Sequence, residues 1–365
     1  MSEHPVPLRP EPAASALALW RPLTRDPVLL AERVGRWHLI YAILGTIACA
    51  LLAVALLSII DHGLETLANR TGTRAAYDRA GEPNVFFLPG NVYTFLNNAL
   101  FGVALIAVAT ALAALHLRSP GYFWRYHGPG GAALFFKTAA AMIVVTLAGS
   151  AYEYIKNPAS FALRTDFGRI YLLSVAAGIG ALLLQTLGEE AVFRGYLLRV
   201  WGALVPIRAA MVAALVTGFT MLHTVNSDFR TDFMFNFIGF LLVEVIYYWV
   251  LFRTGSLAAT WGLHFANNLL AGILVITVPG SAPDMGLFVF TDPVLSAGGT
   301  RLKSPTAYIE LGLSMSALVV LLSWRRSPFH LAEAPLPAIP EPPQPAPVDV
   351  MPSDVPASAP EPPTV

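Results

Sequence analysis

Charge is scarce in this 365-residue chain: Asp, Glu, Lys and Arg make up 13% of it, against 55% hydrophobic residues. A soluble domain carries about 25% charged residues. So low a share, with a mean hydropathy of +0.59, excludes an ordinary soluble globule and points to an integral membrane protein. Cysteine is nearly lacking as well. Cys49 stands alone inside an apolar run, which excludes a disulfide framework or a cysteine-rich metal centre within one chain. Nor is there a net charge, because 23 basic residues balance 23 acidic ones. No basic field exists to attract nucleic acid, and none is expected as a partner. The first 36 residues are polar and proline-rich and are not expected to be a cleavable signal peptide.

Long apolar runs are what the chain has in abundance. A spanning helix needs roughly 20 mostly apolar residues. Eight stretches meet or approach this: 37–60, 92–115, 132–151, 170–187, 209–225, 233–252, 257–278 and 306–324. The expectation is an all-α, polytopic membrane protein with about eight transmembrane helices and a polar intramembrane site. Residues 1–36 form an N-terminal segment and 37–326 the membrane domain. Residues 327–365 are proline-rich, acidic and poor in large apolar clusters, so a disordered tail is expected. The connections 61–91 and 279–305 are long enough for small caps. An even number of spans puts both termini on one side. Arg21, Arg25, Arg33 and Arg36 precede the first span, and Arg325 and Arg326 follow the last, which places that side in the cytoplasm. The high Ala and Pro content suits a bacterial inner (plasma) membrane, with the lipid bilayer as immediate partner.

The few charges inside apolar surroundings carry the functional information. A charged side chain within the membrane costs at least about 2.5–3.5 kcal/mol, so it persists when paired or when it lines a polar cavity. The stretch "LGEEAVFRGYLL", residues 187–198, holds Glu189, Glu190 and Arg194. Glu190 and Arg194 are four apart and can pair along one helical turn. Glu189 is about 100° away around a helix and has no partner in its own turn, which leaves it poised to take a proton. Two other apolar runs carry histidine. His223 ends "FTMLH" on the same face as Phe219, and His264 shares a face with Asn268 in "HFANN". A single buried histidine is commonly a satisfied core residue. Two histidines, an asparagine and an unpaired glutamate, each in an apolar region, are together the ingredients for activating a water and holding an oxyanion. There is no G-x-S-x-G turn, no H-E-x-x-H pair and no Walker loop.

Glu189-Glu190-x-x-x-Arg194, Phe219-x-x-x-His223 and His264-x-x-x-Asn268, in that order, resemble the three signature motifs of the CPBP family. That family holds the CAAX-type intramembrane endopeptidases and the bacterial abortive-infection membrane proteases. "GEEAVFRGYL" and "TGSLAATWGLHFANN" resemble its first and third motifs with their surroundings, and the likeness covers a core of 170–277. The family often has a small residue where Glu244 interrupts the sixth span. The resemblance implies an intramembrane endopeptidase acting on a membrane-associated substrate, CAAX-type or a small peptide. It implies Glu189 as the base, His223 as the group positioning the water, and His264 and Asn268 as the oxyanion site, with Glu190, Arg194 and Phe219 in support.

Family members have been described as metalloproteases. A catalytic zinc takes three protein ligands and keeps an open position. Glu189, His223 and His264 are the candidate ligands should zinc be bound; the expectation is that no metal is held tightly. Two other classes compete. A transporter or channel also places Glu and His within the membrane, but it commonly carries inverted repeats, and none is visible. A non-catalytic scaffold would act through the proline-rich tail.

Overall fold

The computed structural model describes residues 38–72, 90–115, 131–156, 158–165, 167–202, 204, 208–223, 233–270, 276–277, 286, 288–290 and 305–333. The chain is an all-α polytopic membrane protein. In order, the helices are α1 (His38–Thr71), α2 (Gly90–Leu115), α3 (Ala132–Lys156) and α4 (Arg169–Glu189), which passes directly into a π-helical turn (Glu190–Leu197). Then follow α5 (Leu198–Gly202), α6 (Arg208–His223), α7 (Phe233–Thr254), α8 (Leu257–Leu269) and α9 (Pro305–Ser323). Three short strands, β1 (Phe161–Leu163), β2 (Ile276–Thr277) and β3 (Phe288–Phe290), make a small sheet in the order β1-β3-β2. β1 runs antiparallel to β3, and β2 parallel to it.

Each expected span contains a helix, though not always with the expected ends. Among the described residues, five helices are long and apolar enough to cross a membrane: Leu39–Thr71, Phe95–Ala114, Ala132–Lys156, Tyr171–Gly202 and Phe233–Thr254. Arg208–His223 and Tyr308–Ser323 are shorter apolar helices. The seventh expected span, 257–278, is corrected: its helix stops at Leu269, and Ile276–Thr277 pairs with β3. The first is longer than expected. α1 continues through Asp61 and Glu65 to Thr71, so the connection begins at Gly72, whose φ of 72° ends the helix in the left-handed region. Residues 1–36 and the remainder of the expected caps lie outside the described residues.

Lipid tails are as apolar as leucine, so membrane helices associate by close packing rather than by escape from water. α1 shows the lipid-facing side of this rule: Leu44, Leu51, Val54 and Ile59 are all more than half exposed. Inside, glycines bring backbones together. A Cβ on Gly188 of α4 would lie 2.6 Å from the Gly102 carbonyl oxygen of α2, and one on Gly102 would strike the backbone of Leu184. A Cβ on Gly262 of α8 would strike the Phe135 carbonyl and the Thr138 hydroxyl of α3. These contacts set the helices that carry the motifs at short range. α7 and α8 are joined by Gly255 and Ser256, with Gly255 at φ 60°, a conformation glycine adopts without steric cost. Gly255 donates its N–H to the Leu251 carbonyl at 2.8 Å. The Thr-Gly-Ser-Leu lead-in is thus a tight turn that lays α8 back along α7.

The tail begins later than its composition suggested. Residues 324–333 fold back onto the ends of three helices. Leu331 is fully buried among Trp249, Leu318 and Leu322, and its N–H donates to the Leu322 carbonyl at 2.9 Å. Arg253 Nε donates to the Leu331 carbonyl at 2.7 Å, and Lys137 Nζ donates to the His330 carbonyl at 3.1 Å. Phe329 and Leu331 supply apolar anchors that a count of prolines and acids overlooks.

Candidate active site

The first motif sits at the α4–π junction. The Glu190 N–H reaches both the Leu187 and Thr186 carbonyls, and the Leu198 N–H reaches back five residues to Phe193. Single π turns inside α-helices occur frequently at functional sites. Here the wider turn buries Glu190 and Arg194 completely. They form the expected i,i+4 ion pair, through Arg194 Nη1 and Glu190 Oε1. Arg194 Nη2 holds a second carboxylate, Glu244 Oε2 of α7. The guanidinium also lies 5.0 and 5.1 Å from the rings of Tyr247 and Tyr248, and 5.9 Å from that of Phe219. Aromatic faces favour a desolvated cation, which helps a buried arginine persist. Glu244, ambiguous in sequence, therefore belongs to the site.

Glu190 is the hub. Its Oε1 accepts from Arg194 and from His264 Nδ1 at 2.8 Å, and its Oε2 accepts from the Thr260 hydroxyl at 2.6 Å. An ionised carboxylate only accepts, so His264 Nδ1 carries a proton. The other ring nitrogen, Nε2, lies 3.3 Å from Glu189 Oε2. Glu189 and His264 are each 5% exposed.

Glu189 has a partner that the spacing argument missed: Gln185, four residues earlier, donates to its Oε1 at 3.3 Å. With His264 on the other oxygen, the expectation of an unpaired acid is corrected. Both contacts are nevertheless long, so the Glu189 carboxylate is held more loosely than that of Glu190.

The second motif stands beside this cluster, across an aromatic ring. Phe219 packs edge-on against Phe193 at 4.9 Å between centroids, and lies 4.4 Å from the His223 ring and 6.3 Å from the His264 ring. His223 is half-buried at the end of α6 and donates Nδ1–H to the Phe219 carbonyl at 2.8 Å, which leaves Nε2 as its acceptor. Its ring also faces Phe240 at 5.0 Å. Asn268 is half-buried one turn beyond His264, and its Oδ1 accepts from Asn267 Nδ2 at 3.3 Å.

Glu189, Glu190, Arg194 and His264 are thus brought together, Phe219 bridges to His223, and Asn268 continues the His264 face. Among the described residues, no three His, Cys, Asp or Glu side chains are placed to hold a metal ion. Of the candidate ligands Glu189, His223 and His264, His264 bonds Glu190 through Nδ1 and turns Nε2 to Glu189, and Phe219 packs against both histidine rings.

Thr260, Gln185, Glu244 and Tyr247 are the site's further residues. Gln185 and Thr260 had a legible signal, each standing four residues before a motif residue on the same helix face. Tyr247 packs its ring 5.5 Å from that of His264, while its buried hydroxyl has no hydrogen-bond partner among the described residues.

Comparison with known proteins agrees with this geometry. The family model described as type II CAAX prenyl endopeptidase Rce1-like matches residues 171–270, the stretch that carries all three motifs. The chain is 24% identical over 162 residues to "Uncharacterized protein YyaK" of Bacillus subtilis (strain 168), an alignment covering 43% of this chain and 54% of that protein. The chain thus spans about half the length of the curated relative it matches. No solved structure matches. Residues 171–270, with Glu189, His223 and His264 among them, are accordingly similar to the Rce1-like CAAX prenyl endopeptidase family.

Proposed function

We propose that this chain is an intramembrane endopeptidase that hydrolyses a peptide bond in a membrane-associated peptide or protein, with a CAAX-type C-terminus as the substrate its family suggests. The observation that carries the reading is the contrast between two adjacent carboxylates. Glu190 is bound by Arg194, Thr260 and His264, whereas Glu189 has only long contacts to Gln185 and His264. A general base must be able to exchange its partner for a water, and Glu189 is the acid able to do so.

Glu189 takes a proton from a water whose oxygen attacks the scissile carbonyl. His223 orients that water through Nε2. The tetrahedral oxyanion is held by Asn268 and by His264, whose Nε2 donates when it carries the proton it shares with Glu189. The proton then passes to the leaving amine, the C–N bond breaks, and Glu189 is again a carboxylate. Every group this route needs is a side chain, and we read the reaction as metal-independent. The setting is a bacterial inner membrane with both termini in the cytoplasm, supported by the arginines that flank the first and last spans.

The experiment compares peptides released in membranes of cells carrying the wild type or Glu189→Gln. Peptides present with the wild type and missing with the variant support the reading. Identical peptide sets from two equally inserted proteins contradict it.

A further inference from the structure

Thr260 lies outside the three motifs, yet it makes the shortest contact to the hub carboxylate apart from the arginine. It is fully buried, one helical turn before His264 on α8, so Thr260, His264 and Asn268 form one polar stripe. Its hydroxyl has one proton and two acceptors in reach: Glu190 Oε2 at 2.6 Å and the Leu257 carbonyl at 3.0 Å. The carboxylate is the closer and the charged acceptor, so the proton goes there. Its contact to the Leu257 carbonyl holds the hydroxyl in one of the two χ1 rotamers that a helical threonine adopts.

A glutamate carboxylate turns broadly about its last torsion unless both oxygens are held. Arg194 and His264 share Oε1, and Thr260 alone among the described contacts fixes Oε2. The plane of that carboxylate sets where Oε1 meets His264 Nδ1, and so which way Nε2 faces across the 3.3 Å to Glu189. We propose that Thr260 is a positioning residue that locks the tautomer and orientation of His264 through the Glu190 carboxylate. The consequence for hydrolysis rests on the proteolytic reading above; the lock itself does not.

The test reads the ring and not the reaction. The full-length protein is labelled with ¹⁵N-histidine in lipid bilayers, and the His264 signals are assigned by their loss in His264→Asn. The wild type is expected to show an exchange-protected Nδ1–H signal, displaced downfield by the carboxylate. Thr260→Val keeps the shape and removes the donor; it should lose or broaden that signal, while Thr260→Ser keeps it. An unchanged Nδ1–H signal in Thr260→Val overturns the proposal. Should the valine variant not fold, Thr260→Cys, a much weaker donor, takes its place with the same two outcomes. With any substrate the wild type cleaves, Thr260→Val should lower kcat by up to about 100-fold, the scale of a small misplacement of a reacting group, with little change in KM. If Glu189→Gln still cleaves while Thr260→Val disturbs His264, the proteolytic reading falls and the lock stands.

Discussion

Glu189 and His264 face one another across 3.3 Å, carboxylate oxygen to Nε2, from two helices that meet inside the membrane domain. The same imidazole is anchored at Nδ1 by Glu190 at 2.8 Å. A single ring thus joins a firmly bound acid to a loosely bound one. Such a triplet can hold a proton near a reacting water without fixing it there.

Asn268 continues the His264 stripe, and its carboxamide oxygen is taken by Asn267, which leaves its NH₂ to donate. Asn268→Ala should therefore lower kcat about 10²–10³-fold with little loss of folded protein, as for other oxyanion donors. Steady-state cleavage by the purified variant checks this. An unchanged kcat would remove Asn268 from the oxyanion site.

Arg194 is shared by Glu190 and Glu244, all three fully or nearly fully buried. Removing one partner of a buried pair costs about 3–5 kcal/mol, because the other is left as an uncompensated charge. Arg194→Ala strands two carboxylates and should be the most destabilising change at the site, with a steep fall in inserted, folded protein. Glu244→Gln leaves Arg194 with Glu190 and should cost less. Thermal midpoints in detergent rank the two, and the reverse order would contradict the shared-cation arrangement.

The approach of α8 to α3 depends on Gly262. Gly262→Ala forces the helix away from Phe135 and Thr138, and overpacking of this kind costs about 1–3 kcal/mol. It should also displace His264, two residues along. Gly180→Ala on α4 meets nothing within 4 Å and should leave both the thermal midpoint and activity unchanged. The pair makes a matched control.

Residues 327–333 pack against the helix ends, where Arg253 and Lys137 donate to the carbonyls of Leu331 and His330. Leu331→Ala, which empties a fully buried position, should destabilise by about 2–5 kcal/mol. Deletion of 334–365 spares the Arg253 and Lys137 contacts and should leave the core and its activity intact. Loss of function on that deletion, with the core still folded, would favour a scaffold acting through the tail.

Much of this architecture is legible in the sequence because lipid imposes length and apolarity on each helix. The Glu190–Arg194 pair is legible for the same reason that any i,i+4 pair is: the helix repeat brings the two together. Glu244 was not, since nothing local says that a residue 50 positions away shares Arg194. The π turn was hidden too, because it changes the local repeat without changing composition. The α8 span was read too long because Ile276 and Thr277 suit a strand as well as an apolar helix. Glu189 looked unpaired because its partners are a neutral amide and a ring from another helix, and a search for opposite charge finds neither.

The decisive measurement sets purified wild type beside Glu189→Gln in lipid vesicles, with a quenched fluorogenic peptide ending in a farnesylated CAAX sequence. The wild type should cleave it, and the glutamine variant, equally folded by thermal midpoint, should show no turnover above background. Cleavage by Glu189→Gln at the wild-type rate would contradict the account.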